Sequence, residues 1–214
     1  MAGSAVTMES WKHKPAAIVM VWYPGMEGGT AFARVVFGDV SPSGKLPFSI
    51  PKDEKDLPFF APDADEIEYG LFHGYTHLAK SQASAAFAFG HGLGYSTFTY
   101  SAPRKTVLQG RACFEAEVTN TGERAGDEVV QFYVGFPASE IDRPAFLLKG
   151  FSRVSLSPGE TATVRLELDK SELAYFDESR CAWAVEETAY TAHIGPDSVQ
   201  ALEQGVSFGS DEIV

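Results

Sequence analysis

The sequence predicts two unlike parts, an α/β segment followed by an all-β antiparallel sandwich. Three observations predict this. An apolar run between prolines, a glycine turn and a helix-spaced stretch follow one another near the start, which is one α/β step. Proline and glycine punctuation is then dense from Val40 to Gly94. Beyond Tyr95 the apolar period becomes two, in short runs separated by turn signals, as in a sandwich.

Taken in order, the run from Pro15 to Pro24 reads as a buried parallel strand over Ala17–Trp22. Gly28 and Gly29 lead into a helix over Thr30–Phe37, with Phe32, Val35 and Val36 on one face and Gly38-Asp39 as its stop. The stretch from Val40 to Gly94 reads as long loops, which inside a compact domain are functional or wrap a neighbour. Ala112, Phe114, Ala116 and Val118 then alternate with polar residues, as do Ala162, Val164, Leu166 and Leu168. Val130, Phe132 and Val134 share one face of a third strand. Turns are expected at Asn120-Thr-Gly122, Ser157-Pro-Gly159 and Asp177-Glu-Ser179.

Charge narrows the function classes. Seventeen basic against 29 acidic residues in 214 give a net charge of −12, which repels phosphate backbones and anionic lipid. Nucleic-acid and membrane roles are therefore not expected, whereas a neutral substrate is compatible. The longest apolar run is far shorter than the roughly 20 residues of a spanning helix. No basic segment followed by an apolar stretch opens the sequence, so no signal peptide is read and the cytoplasm is favoured. Cys113 and Cys181 are too few for a disulfide scaffold or a zinc ribbon, and the sequence leaves their pairing open.

Several motifs fail as chemistry. Ser43-Gly-Lys-Leu46 resembles the tail of a phosphate loop, but Gly38 lies one residue too far upstream and Leu46 replaces the magnesium-holding hydroxyl. His73 and His77 stand four apart, yet Gly74 weakens a helix there and no glutamate follows His73. No cofactor and no metal site is expected. The acidic loop from Asp53 to Glu68 reads as a solvated face. Glu27, at the end of the expected strand, has two readings: a sugar-hydroxyl acceptor or acid/base, and a carboxylate at the start of the helix.

A series of ordered motifs goes further. Trp22-Tyr-Pro-Gly-Met-Glu-Gly-Gly29, Phe37-Gly-Asp-Val-Ser-Pro-Ser-Gly-Lys-Leu-Pro47 and Phe89-Gly-His-Gly-Leu-Gly-Tyr-Ser-Thr-Phe98 come first. Val118-Thr-Asn-Thr-Gly122, Ala125-Gly-Asp-Glu-Val-Val-Gln-Phe-Tyr-Val134, Leu148-Lys-Gly-Phe151 and Leu156-Ser-Pro-Gly-Glu160 follow. This series closely resembles the C-terminal part of glycoside hydrolase family 3 enzymes of the β-glucosidase type, over nearly the whole chain.

The resemblance implies a family architecture of barrel, α/β sandwich domain and fibronectin type III-like domain. On that scheme residues 1–95 form the last portion of the α/β sandwich domain, and 96–214 the linker and fibronectin type III-like domain. The segment from Met1 to Val6 then corresponds to a point inside a domain, so the chain is expected to be truncated. Its expected partner is the missing barrel-containing region, in the same enzyme or in a second chain. Self-association through the unpaired apolar strand is the alternative.

Family members hydrolyse β-glucosides with retention, using an aspartate nucleophile and a glutamic acid whose carboxyls stand roughly 5–5.5 Å apart. The resemblance puts the nucleophile in the barrel and the acid upstream of this sequence, so no catalytic residue is expected in this chain and the chain alone should be inactive. It departs from the family where many members carry Gly-Tyr-Arg and an aromatic, having His73-Gly-Tyr-Thr-His77 instead. His73 is thus a candidate for the outer substrate region beside Glu27, or an ordinary loop histidine. A carbohydrate-binding or interaction module that works alone is the rival function.

Overall fold

A computed structural model describes residue 3 and residues 5–108 and 111–213. The chain runs through helix α1 (Gly28–Val36), strand β1 (Ile50–Pro51), helix α2 (Gly74–Ser81) and strand β2 (Ala85–Phe87). It continues through β3 (Phe98–Tyr100), β4 (Arg104–Leu108), β5 (Arg111–Asn120), β6 (Gly126–Gly135), β7 (Phe146–Leu156) and β8 (Thr161–Glu167). The hairpin β9 (Tyr175–Asp177) and β10 (Ala182–Ala184) precedes β11 (Ala189–Gly195) and β12 (Val206–Gly209).

Two antiparallel sheets form the sandwich. One has the order β12-β11-β6-β7. In the other, β5 pairs with β8 along one edge and with β4 and then β3 along its opposite edge. The period-two pattern explains the packing, because successive side chains of a strand point to opposite faces. Phe114, Ala116 and Val118 of β5 meet Val130, Phe132 and Val134 of β6 in one core, all within 1% of complete burial. Tyr190 stacks on Phe208 there, with ring centroids 5.5 Å apart. On the outer face of β5, Glu115 is held by Arg104 (2.8 Å) and Arg165 (2.7 Å).

The three expected turns form as side-chain chemistry dictates. Asn120 is fully buried; its amide donates to the Arg124 and Leu156 carbonyls while its oxygen accepts from Ser96 and the Gly122 N–H. Gly159 takes φ +75, which favours glycine. Asp177 accepts from the Ser179 backbone and hydroxyl.

Upstream of β3, three local expectations change. The expected parallel strand over Ala17–Trp22 is not a strand: it pairs with no neighbour among the described residues, and Ile18 and Val19 are exposed. An apolar run can encode burial, but a ladder needs a second strand. The helix begins at Gly28, two residues before the expected start, and ends at Val36 ahead of Gly38 at φ +82. Its apolar face is uncovered, with Phe32 and Val36 about half exposed. In the expected long loop, α2 forms despite Gly74. The Thr76 hydroxyl accepts the His73 N–H and donates to the His73 carbonyl, tying off the helix start. The stretch 40–49 remains without helix or strand.

Candidate functional site

Two hollows and one junction each bring polar side chains together. At the junction the segment around Pro42–Leu46 and the Gly90–Gly94 loop press against the sandwich. Leu46 makes two backbone bonds to that loop, its N–H donating to the His91 carbonyl (2.9 Å) and its carbonyl accepting the Gly90 N–H (2.8 Å). Lys45 reaches Glu128 at 2.9 Å and the Gly92 carbonyl at 3.1 Å, and the pair is almost wholly buried. Glu128 also accepts from the Tyr100 hydroxyl at 2.7 Å. Burial, and then the neighbouring Glu128 carboxylate, push the Tyr100 phenol far above its ordinary value, so it is a permanent donor.

Lys45, singled out as a mock phosphate-loop lysine, is thus a structural cation. Glu128 lies 83 residues away in sequence, and no local pattern links the two.

A cavity of about 450 Å³ opens beside this pair, between the Gly90–Gly94 loop, β3 and the segment after β11. Asp197 stands at its wall, 3% exposed. Burial alone would raise its pKa; the nearby His91 ring and hydrogen bonds from Gln200 and Val199 more than offset this and hold it below the ordinary carboxylate value. The His91 ring nitrogen is 3.9 Å from the carboxylate, outside hydrogen-bond distance. Beneath the loop, Gln131 donates to the Gly90 and Pro196 carbonyls and accepts from the Tyr133 hydroxyl. Glycine suits this place, because φ is +82 and a side-chain carbon would run into the Gln131 amide.

The second hollow, about 360 Å³, lies between the loop 58–72 and α2. Phe59, Tyr69 and Phe72 supply rings, and Glu68, His77 and Lys80 supply polar groups. Lys80 sits 3.6 Å from the Phe72 ring centroid and is clamped by Asp142 at 2.9 and 3.1 Å. Tyr75 of α2 turns the other way. It packs against Phe89, Tyr133 and Phe146, and its hydroxyl accepts the Leu148 N–H at 3.0 Å, fixing α2 on β6 and β7.

The two candidate residues named from the sequence stand apart. Glu27 is exposed at the start of α1, where its side chain makes no capping hydrogen bond. His73 is exposed at the start of α2, edge-on to Tyr69 with ring centroids 5.2 Å apart. No hydrogen bond, ion pair or ring contact joins them among the described residues. Cys113 is buried and Cys181 exposed, both as free thiols. Among the described residues, no three His, Cys, Asp or Glu side chains converge as metal ligands, and no helix is long and apolar enough to cross a membrane.

Comparison with known proteins decides the family. A model of the glycosyl hydrolase family 3 C-terminal domain matches residues 1–95, and one of the fibronectin type III-like domain matches 128–198. The chain belongs to glycosyl hydrolase family 3. It is 38% identical over 217 residues to a probable beta-glucosidase H of Aspergillus oryzae, covering 95% of this chain and 26% of that protein. A beta-glucosidase of Kluyveromyces marxianus is 40% identical over 199 residues, covering 90% and 24%.

Solved structures of the family superpose closely. The K. marxianus beta-glucosidase in complex with glucose gives a TM-score of 0.85 at 35% identity, over 98% of this chain and 26% of that one. Beta-glucosidase 3B from Thermotoga neapolitana in complex with alpha-D-glucose gives 0.86 at 33%, over 97% and 30%. The family 3 chain thus spans about a quarter of the length of the curated relatives it matches. The resemblance drawn from the motif series and the predicted fold class both hold.

Proposed function

We propose that this chain is the C-terminal portion of a retaining β-glucosidase, contributing a wall of the cleft and a packing module, with the nucleophile and the acid/base elsewhere in the enzyme. The observation that carries it is the near-complete match of the chain to about a quarter of each beta-glucosidase relative. The exposed apolar residues agree with it: Ile18 and Val19 pair with no strand among the described residues, and Phe32 and Val36 of α1 are about half exposed. Their natural cover is the barrel-containing remainder of the enzyme, because an α/β layer is normally packed on both faces. Residues 1–95 are then the end of the α/β sandwich domain, and 96–214 the linker and fibronectin type III-like domain. The substrate is a terminal β-glucoside, with Glu27 as an acceptor for a sugar hydroxyl and His73 in the outer region of its site.

One observation favours the rival, a module that binds carbohydrate alone. Phe176 and Trp183 form an exposed aromatic pair on the β9–β10 hairpin, with centroids 5.7 Å apart. Activity separates the two readings. The pure chain should not hydrolyse an aryl β-glucoside above buffer, because acid–base catalysis alone contributes about 10²–10⁴-fold. A barrel-containing polypeptide of the family should bind it and restore turnover. Turnover by the chain alone that tracks it through two columns and vanishes in Glu27→Gln would overturn the proposal.

A further inference from the structure

We propose that the aromatic hollow between the loop 58–72 and α2 is a binding site for a neutral saccharide ring. At about 360 Å³ it falls at the small end of the size range of small-molecule sites. A pyranose needs two things at once: ring surface for its C–H face, and groups that both donate to and accept from its hydroxyls. Phe59 is 80% exposed and Tyr69 44%, and Tyr69 meets only the edge of His73. These two rings are free to be covered, and aromatic side chains carry a large apolar payload for doing so. Glu68 offers acceptors at the same rim, and the His77 ring has no hydrogen-bond partner among the described residues.

Along the floor of the hollow, Lys80 lies over the Phe72 ring and donates to both oxygens of Asp142, so its charge is already paired when a ligand arrives. The same pairing decides the ligand's charge. Asp142 neutralises Lys80, Glu68 adds a negative charge, and the whole chain carries −12, so an anionic sugar is repelled. A purely apolar ligand would have to strip water from Glu68 and His77 without replacing it. The neutral saccharide is the ligand that satisfies both halves of the lining. Only the choice of a β-glucoside as probe rests on the proposed function.

The test is a titration of the ¹⁵N-labelled full chain with cellobiose, followed by amide shifts. We expect saturable shifts at residues 68–70 and 77–80, with a Kd of about 1 mM. Tyr69→Ala and Phe59→Ala should each weaken binding about tenfold or more, with the rest of the amide spectrum unchanged. Glucuronate should bind more weakly than methyl β-D-glucoside. Linear, unsaturable shifts, shifts centred on Trp183, indifference to both variants, or equal binding of glucuronate would each overturn the site. Failure of the proposed function is separable: saccharide binding here in a chain that no barrel polypeptide activates would retain the site and remove the enzymatic reading. Restored turnover without binding here would do the reverse.

Discussion

Replacing Lys45 with methionine isolates the bond between the two parts of the molecule. The Lys45 and Glu128 side chains are only 11% and 8% exposed, so the charge left behind cannot be hydrated in place. In Lys45→Met, Glu128 keeps the Tyr100 hydroxyl but loses its cation, and the Gly92 carbonyl loses its donor. Breaking a buried pair from one side costs about 3–5 kcal/mol, most of it the stranded charge. With a urea m-value of about 1–3 kcal/mol/M, a 3 kcal/mol loss moves the midpoint down by at least about 1 M.

Because the pair joins the 41–47 segment to β6, the loss should fall on the upstream part first. Tryptophan fluorescence, with Trp11 and Trp22 in the upstream part, should therefore change in an early transition, and far-UV circular dichroism in a later one belonging to the sandwich. The double variant Lys45→Met with Glu128→Gln should recover at least half of the loss, since the stranded charge is gone. A midpoint shift below about 0.3 M, or a double variant no better than the single one, would refute the idea that this pair clamps the junction.

Three further outcomes follow from the same geometry. Tyr75→Phe leaves the Leu148 N–H without its acceptor and should cost about 1–3 kcal/mol, seen as faster exchange of that amide; unchanged exchange would count against it. The buried Asp197 carboxyl is held below its ordinary value of 3.8, so its contribution to stability is complete above that value and is lost as pH falls through the folded one. Asp197→Asn should therefore flatten the acid limb of the stability curve below about pH 4, and an unchanged slope would remove Asp197 from that role. The isolated chain should self-associate through α1 and the 17–22 run, and Phe32→Glu with Val36→Glu should shift it toward monomer in sedimentation across a tenfold concentration range.

Much of the sandwich was legible because strand burial has a period of two. In β8 the burial alternates along the strand, and in β5 Ala112, Phe114, Ala116 and Val118 share the inward face, although Cys113 and Glu115 on the other face are buried as well. The longest strand, β7, escaped this reading because Lys149, Gly150 and Phe151 interrupt its alternation, and a register shift opposite Phe132 and Tyr133 breaks its phase. Helix α2 was hidden by Gly74 and two histidines, since its start is made by Thr76 bonding back to His73. The apolar run at 17–22 was legible as a strand only on the assumption of a neighbour. Neither hollow could be read, because Lys45 and Glu128, or Lys80 and Asp142, are joined by topology rather than by spacing.

The Gln131 amide has a consequence for the order of assembly. Its two carbonyl partners lie 41 residues upstream and 65 residues downstream, and its oxygen is occupied by a residue two positions along its own strand. The full set of bonds cannot exist until the glycine loop, β6 and the turn after β11 have all converged. Each closure carries a chain-entropy cost that nothing local repays in advance. Gln131 is therefore a coincidence contact, made late, and a conservative change there should quicken unfolding while leaving the folding rate almost untouched. One neutral side chain reports that three distant stretches of the polypeptide have arrived together.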